Sequence, residues 1–193
     1  MTEPVNNIDV TVIAMGNGWQ TISLTFDETS VGFLASYIGD CPLSSLITLV
    51  AKIDEEIQDG EKPFKRHIEW FQEPGVMQLI VDSDGTIDDI TIKQTGRDML
   101  GFDFDVEEMK DPEDIYHFRV RHDDLRNAVV AEGTSMLKEF GLRGYNDNWN
   151  DGPDNFPVAA FLLLLGNKVT YSEDDEVSVS SLDKEIDLLK SIL

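Results

Sequence analysis

The residue types that could do chemistry are scattered along this chain, and each group lacks a part that its chemistry requires. Asp82-Ser83-Asp84-Gly85 has the acidic spacing of a calcium loop. An EF-hand loop needs glycine at its sixth position and a bidentate Glu at its twelfth. Here glycine comes fourth and Lys93 twelfth. Asp147-Asn148-Trp149-Asn150-Asp151-Gly152 places its glycine correctly, but Trp149 stands third and Val158 twelfth. Both stretches read as ordinary turns, which favour Asn, Asp and Gly. His67-Ile68-Glu69 matches the histidine half of a zinc-deaminase signature, without the paired cysteines that complete it. His117 and His122 are five apart, so they do not share a helical face as a zincin pair does. They read as surface or strand histidines, and no metal is expected.

Nucleophiles fare no better. Cys41 is the single cysteine, which excludes an intramolecular disulfide and any multi-cysteine zinc site. Beside Pro42 and the apolar run Leu43–Val50, it reads as a half-buried structural thiol. No Gly-x-Ser-x-Gly elbow occurs. Gly141-Leu142-Arg143-Gly144 is too short for a phosphate loop and follows a helix. With 38 acids, chance carboxylate pairs are expected, and none stands out. No catalytic residue and no cofactor is expected.

The stretch best suited to recognition is acidic. Asp103, Asp105, Glu107, Glu108, Asp111, Glu113 and Asp114 are opposed only by Lys110, with Phe102, Phe104, Val106 and Met109 interleaved. Carboxylates around apolar anchors suit a basic protein surface, because charges steer the encounter and aromatics supply desolvated contact. The partner-binding candidates are therefore Phe102, Asp103, Phe104, Asp105, Glu107, Glu108, Asp111, Glu113 and Asp114. The plainer alternative is that Phe102 and Phe104 pin an ordinary solvated loop to the core.

The whole chain shares this acidity. Its formal net charge is -23, with 16 acids against 5 bases in residues 1–96 and 22 against 10 in residues 97–193. The charge is spread rather than held in a tail. It opposes binding to nucleic acid, whose phosphates require Lys and Arg, and it attracts cationic partners. A host with a generally acidic proteome would give the same balance. The longest apolar run, Phe156–Leu165, is broken by Pro157 and falls short of the ~20 residues of a membrane span. The N-terminal residues lack the basic and apolar regions of a secretory signal. A cytoplasmic protein that contacts no membrane is expected.

The elements that must position these residues are legible from periodicity and turn chemistry. Ile8–Met15 and Trp19–Phe26 flank Gly16-Asn17-Gly18 and predict a hairpin. Leu46, Leu49, Val50, Ile53 and Ile57 predict a helix, capped by Ser44 or Ser45 and ended by Gly60. Phe64–Phe71, Val76–Val81 and Thr86–Lys93 predict a meander, broken at Pro74-Gly75 and at Asp84-Gly85, with Ile115–Val120 as a fourth strand. A second helix starts at Asp123 or Asp124, carries Gly133 for close packing against the sheet, and ends at Gly141. A turn-rich stretch at Asn146–Asn155, a short helix ending near Leu165, a solvated loop at Glu173–Glu176 and a helix on Leu182, Ile186, Leu189 and Ile192 complete the pass. The expected architecture is one α+β domain over residues 1–193, an antiparallel sheet (hairpin plus meander) with helices mainly on one face.

Two segments carry a resemblance. Trp70-Phe71-Gln72-Glu73-Pro74-Gly75 resembles the Trp-x-x-Glu-Pro-Gly turn of small bacterial proteins of unknown function. Tyr145 and Trp149, four apart, followed by Phe156-Pro157, resemble the Tyr-x-x-x-Trp and Phe-Pro segment of the same proteins. Some of that group are immunity-like proteins of polymorphic toxin systems. The resemblance implies no catalytic residues, and it implies a protein that occludes a basic toxin domain. A bacterial domain with a housekeeping or regulatory role is the alternative, and an enzyme using carboxylates is the third. Read physically, Tyr145 and Trp149 pack the second helix onto the sheet, and Trp70 anchors the meander core.

Overall fold

The computed structural model describes residues 3–36, 39–60, 64–72, 75–94, 114–149, 156–167, 170–172 and 177–193. Within them the chain forms an α+β fold of two antiparallel sheets, a short ribbon and four helices. The first sheet is β1 (Ile8–Gly16), β2 (Trp19–Phe26) and β3 (Thr29–Ser36), in that order. Its first turn is the expected hairpin: Asn17 and Gly18 both have positive φ and join the paired residues Gly16 and Trp19. Positive φ at both central residues suits the turn to the twist of the flanking strands.

β3 is an addition to the predicted elements. It follows a tight turn in which Asp27, not a glycine, adopts positive φ. The Asp27 carboxylate accepts hydrogen bonds from the backbone N–H groups of Asn6 and Asn7, which hold the turn. Val31, Phe33 and Ala35 then point inward.

The second sheet is β4 (Phe64–Phe71), β5 (Val76–Ser83), β6 (Ile87–Gln94) and β7 (Asp114–Arg121), consecutive and antiparallel as expected. Its inner face carries Trp70, Met77, Leu79, Val81, Ile90 and Ile92, all buried. At the β5–β6 turn, Asp84 Oδ1 accepts from the N–H groups of Thr86 and Ile87, and Gly85 supplies positive φ. That is turn chemistry, as expected for this would-be calcium loop. The two sheets meet where Phe26 stacks on Phe118 at 3.9 Å between centroids and where Phe33 lies 4.5 Å from Trp70. Val5 N–H also donates to the carbonyl of Arg119. β8 (Thr170–Ser172) and β9 (Val177–Val179) form the ribbon, and residues 173–176 between them lie outside the described residues.

Helix α1 (Pro42–Gln58) is the centre of the molecule. Ten of its 17 residues are buried, Pro42 through Ile47 without a break. A helix covered on several sides is packed between layers rather than laid on one. It touches β2 and β4 on one side and the helices α2 (His122–Trp149) and α3 (Val158–Leu164) on the other. Its start differs from the expected Ser44 or Ser45 cap. The N-cap is Cys41, with Pro42 in the first helical turn, where proline's fixed φ and missing N–H cost least. The two serines lie inside that turn.

α2 also departs from expectation. It begins at His122, with Asp123 and Asp124 in its first turn, where carboxylates suit the positive end of the dipole. Gly141 ends its first segment, as the sequence indicated, and a second helical segment follows across the kink. The glycine takes a non-helical conformation (φ 67°, ψ 173°), and the helix resumes to Trp149, so Asn146–Trp149 is helical rather than a turn. Gly133 faces α3 and not the sheet. A Cβ there would lie 2.6 Å from the Phe161 ring, which is fully buried. Gly133→Ala should therefore lower stability by about 1–3 kcal/mol through overpacking, measured as a reduced urea midpoint with unchanged slope. An unchanged midpoint would show that Phe161 has room to move.

α4 (Leu182–Ile192) is amphipathic, yet none of its residues is buried. Leu189 and Ile192 rest against the core, while Leu182 is 67% exposed. Among the described residues, no helix is long and apolar enough to cross a membrane.

Candidate functional site

The acidic recognition stretch Phe102, Asp103, Phe104, Asp105, Glu107, Glu108, Asp111 and Glu113 lies outside the described residues. Of Asp114 only the backbone is described, as the first residue of β7. What the structure does bring together are two buried polar clusters, one at each end of α1.

The first surrounds the start of α1. The Cys41 thiol lies 2.9 Å from the Tyr145 hydroxyl and 3.6 Å from Gln20 Oε1. Gln20 Oε1 also accepts from Leu43 N–H at 3.0 Å, so β2 holds the first turn of the helix. Ser44 Oγ lies 3.2 Å from Tyr145 Oη. Ser45 Oγ donates to the carbonyl of Pro42 and accepts from Trp70 Nε1–H at 2.7 Å. Cys41 is fully buried, not half-buried as the sequence suggested. Burial raises its pKa, and hydrogen bonds from Tyr145 and Ser44 offset only part of that. Burial likewise holds Tyr145 well above its ordinary value, and the neighbouring Cys41 adds to it. The thiol and the phenol thus both stay protonated. Nucleophilic chemistry needs the thiolate, so this cluster joins α1 to β2, β4 and α2 rather than offering a reactive group.

Tyr145 and Trp149 do pack inward, on the same face of α2. Tyr145 reaches the start of α1, not the sheet, and meets Phe156 edge-to-face at 5.3 Å. An open pocket of about 340 Å³ lies beside this cluster, with Ser44, Thr48, Lys52, Arg66 and His67 among its lining. Its hydroxyls are committed inward: Thr48 Oγ1 donates to the carbonyl of Ser44. Arg66 is paired with Glu56.

The second cluster is centred on His122, at the other end of α1. Its Nδ1 lies 2.9 Å from Asp88 Oδ2 on β6, and its Nε2 lies 2.8 Å from Asp54 Oδ1 on α1. Arg126, one helical turn on, brings its Nε within 3.0 Å of Asp54 Oδ2 without hydrogen-bond geometry, and donates through Nη2 to the carbonyl of Leu164. Four elements meet here: α1, β6, α2 and the end of α3. Burial opposes charge on His122, but hydrogen bonds to Asp54 and Asp88, and the negative charges of both, outweigh it and push the pKa up to about 9. The imidazolium is therefore the resident form at neutral pH, with both N–H groups donating. A histidine occupied at both nitrogens has no free site to act as a base. Asp88 is fully buried, and its Oδ1 accepts no hydrogen bond.

His122 was expected on the surface or in a strand, and it is neither. His117 is on strand β7 and exposed, bonded to Thr91. The cluster joins residues 34 and 68 positions apart, a separation no spacing rule covers. One signal was available. Asp88 shares the parity of Ile90 and Ile92 on β6, so alternation places a carboxylate on the apolar face. A buried charge needs a partner. Among the described residues, no group of His, Cys, Asp or Glu converges as a metal site. The imidazole stands between its two carboxylates, so the three do not aim at a common point.

A second buried acid, Glu132, sits on α2. Glu132 Oε1 accepts from Val12 N–H at 2.6 Å, where β1 bulges and turns Ile13 outward. Burial raises the Glu132 pKa, the Val12 bond opposes that, and the charges of Asp9 and Glu139 add to it. The outer edge of β1 is thus bulged, bonded by a carboxylate and covered by α2, which blocks strand addition there.

Together these features define an α+β protein whose buried polar groups tie elements together. Comparison of the chain with protein-family models, with curated proteins and with solved structures finds no match.

Proposed function

We propose that this chain is an acidic binding protein of the immunity or antitoxin type, which occludes a basic toxin domain. One observation carries the reading. All five described arginines lie within ion-pair distance of a carboxylate: Arg66 with Glu56, Arg119 with Asp89, Arg121 with Asp124, Arg126 with Asp54 and Arg143 with Asp147. The arginines sit beside carboxylates, and with a net charge of -23 the chain presents a predominantly negative field. Such a field raises association rates with cationic partners and disfavours anionic ones. The resemblance of the Trp70–Gly75 and Tyr145–Pro157 segments to small bacterial proteins of unknown function, some of them immunity-like, supports the same reading. Contact falls to the stretch from Phe102 to Asp114, with the carboxylates steering and Phe102 and Phe104 as apolar anchors. No chemical step is involved; the partner's active site is covered.

The test is rescue and association. The chain should restore growth to cells expressing the toxin-like reading frame beside its own gene, and should form a stoichiometric complex with that product. The association rate should fall on the order of tenfold from low to high salt. Changing Asp103, Asp105, Glu107 and Glu108 together to Asn and Gln should slow association more than it speeds dissociation. Absence of a complex overturns the proposal, and unchanged kinetics in that variant remove this stretch from the interface.

A further inference from the structure

Strand β4 is an open edge of the second sheet. It pairs only with β5, in unbroken register from Phe64 to Phe71. Along its other side, alternate residues aim N–H and C=O groups away from the sheet. Among the described residues, no backbone hydrogen bond reaches that side. The opposite edge differs, because the Arg119 carbonyl on β7 accepts from Val5 N–H. Helix α1 runs beside the β4 edge, held near its start by Trp70 on Ser45 and near its end by Arg66 on Glu56. The pocket of about 340 Å³ lies between helix and strand, lined by Ser44, Thr48 and Lys52 from α1 and by Arg66, His67 and Ile68 from β4. Successive side chains of a strand point to opposite faces. A cavity that touches three in a row therefore lies along the edge of the strand and meets its main chain.

Charge in this groove runs against the rest of the molecule. Its described lining holds Lys52, Arg66 and His67 with one carboxylate, Asp40. Four of the five Lys and Arg residues in positions 1–96 fall between Lys52 and Arg66, in a chain of net charge -23. Arg66 and His67 have Glu56 and Glu69 nearby. Lys52 is exposed and pairs with no carboxylate among the described residues.

We infer that the groove between β4 and α1 receives an extended, acidic segment of another protein, which joins the second sheet as a strand beside β4 and sets a carboxylate against Lys52. The open edge selects main chain in extended form, and the unpaired ammonium selects the sign of the side chain. Basic side chains on an edge discourage pairing with arbitrary strands; here they admit an acidic one. A small anion would satisfy Lys52 and leave the β4 edge unused. The inference does not rest on the proposed toxin contact, which calls for a basic partner and a different surface, so each stands if the other fails.

The probe is a labelled ten-residue peptide in which threonine and glutamate alternate. A chain of this charge repels such a peptide elsewhere, so binding reports the groove. Two further peptides carry N-methyl groups on all the threonine amides or on all the glutamate amides. Only alternate amides of an added strand face β4, so one methylated peptide should bind about tenfold more weakly and the other should bind as the parent does. Anisotropy titrations use the whole chain, its Lys52→Glu variant and its Lys190→Glu variant, which makes the same charge change on α4. Lys52→Glu should weaken binding about tenfold and Lys190→Glu less than about twofold, both at unchanged melting temperature. Equal losses in the two variants overturn the groove in favour of the overall field. Equal affinity of the two methylated peptides overturns strand addition in favour of a simple anion site. Binding of no peptide overturns the inference outright and leaves the toxin contact untouched. Sedimentation showing a dimer that Lys52→Glu dissociates overturns it in favour of a second copy of this chain.

Discussion

His122→Ala should be among the most damaging single substitutions in this protein, with an expected loss of about 3–5 kcal/mol. The imidazolium sits between Asp54 and Asp88 and donates to both. Removing it leaves a fully buried Asp88 with no partner on either oxygen, since Oδ1 already accepts nothing. The cost is that of an uncompensated buried charge rather than of a lost hydrogen bond. Urea unfolding should show the midpoint shift at constant slope. A loss under about 1 kcal/mol would show that the cluster relaxes or admits water.

The same residue sets a pH dependence whose sign is fixed. The folded pKa of about 9 lies above the ordinary 6.5. Folding therefore takes up a proton between those values. The contribution is fully present below about pH 6.5 and is lost as pH rises through 9. Its full size, from a shift of that extent, is roughly 3 kcal/mol. Wild-type stability should fall between pH 7 and 10, and His122→Ala should flatten that limb. A wild-type curve with no alkaline fall assignable to His122 would contradict an imidazolium held by two carboxylates.

The meander was legible because its breaks have mechanisms. Glycine and proline in the sequence signal the β4–β5 break, Asp84 and Gly85 fix the β5–β6 turn, and alternation then sets the buried face. β3 was missed because its turn uses Asp27 at positive φ, where the eye looks for glycine. The alternation of Val31, Phe33 and Ala35 was present but had no punctuation before it. Gly141 was a sound stop signal whose consequence was local: the chain kinks and the helix resumes, because Tyr145 and Trp149 beyond it are buried. The polar clusters were the least legible part. Gln20, Cys41 and Tyr145 are far apart in sequence, and each reads locally as an ordinary core or strand residue. Only Asp88, out of place among isoleucines, announced that a buried partner existed.

Trp70→Ala is expected to cost about 3–5 kcal/mol, the range for emptying a fully buried large aromatic site. Trp70 has no exposed surface, and its ring lies 4.5 Å from Phe33, so it joins β4 to the other sheet. Its N–H donates to Ser45 Oγ at 2.7 Å, which joins β4 to the first turn of α1. Two companion variants separate these roles. Trp70→Phe keeps much of the ring and leaves Ser45 Oγ short of one donor while it still donates to Pro42. Ser45→Ala keeps the whole ring and leaves a buried N–H with no acceptor, at about 1–3 kcal/mol. If ring burial dominates, the order of loss is Trp70→Ala well above both companions. If the strap onto α1 dominates, Ser45→Ala approaches Trp70→Ala. Because the site lies in the core, the folded fraction of every variant should bind a partner as tightly as the wild type. A Trp70 variant that melts normally but no longer binds would move the recognition surface to this strand.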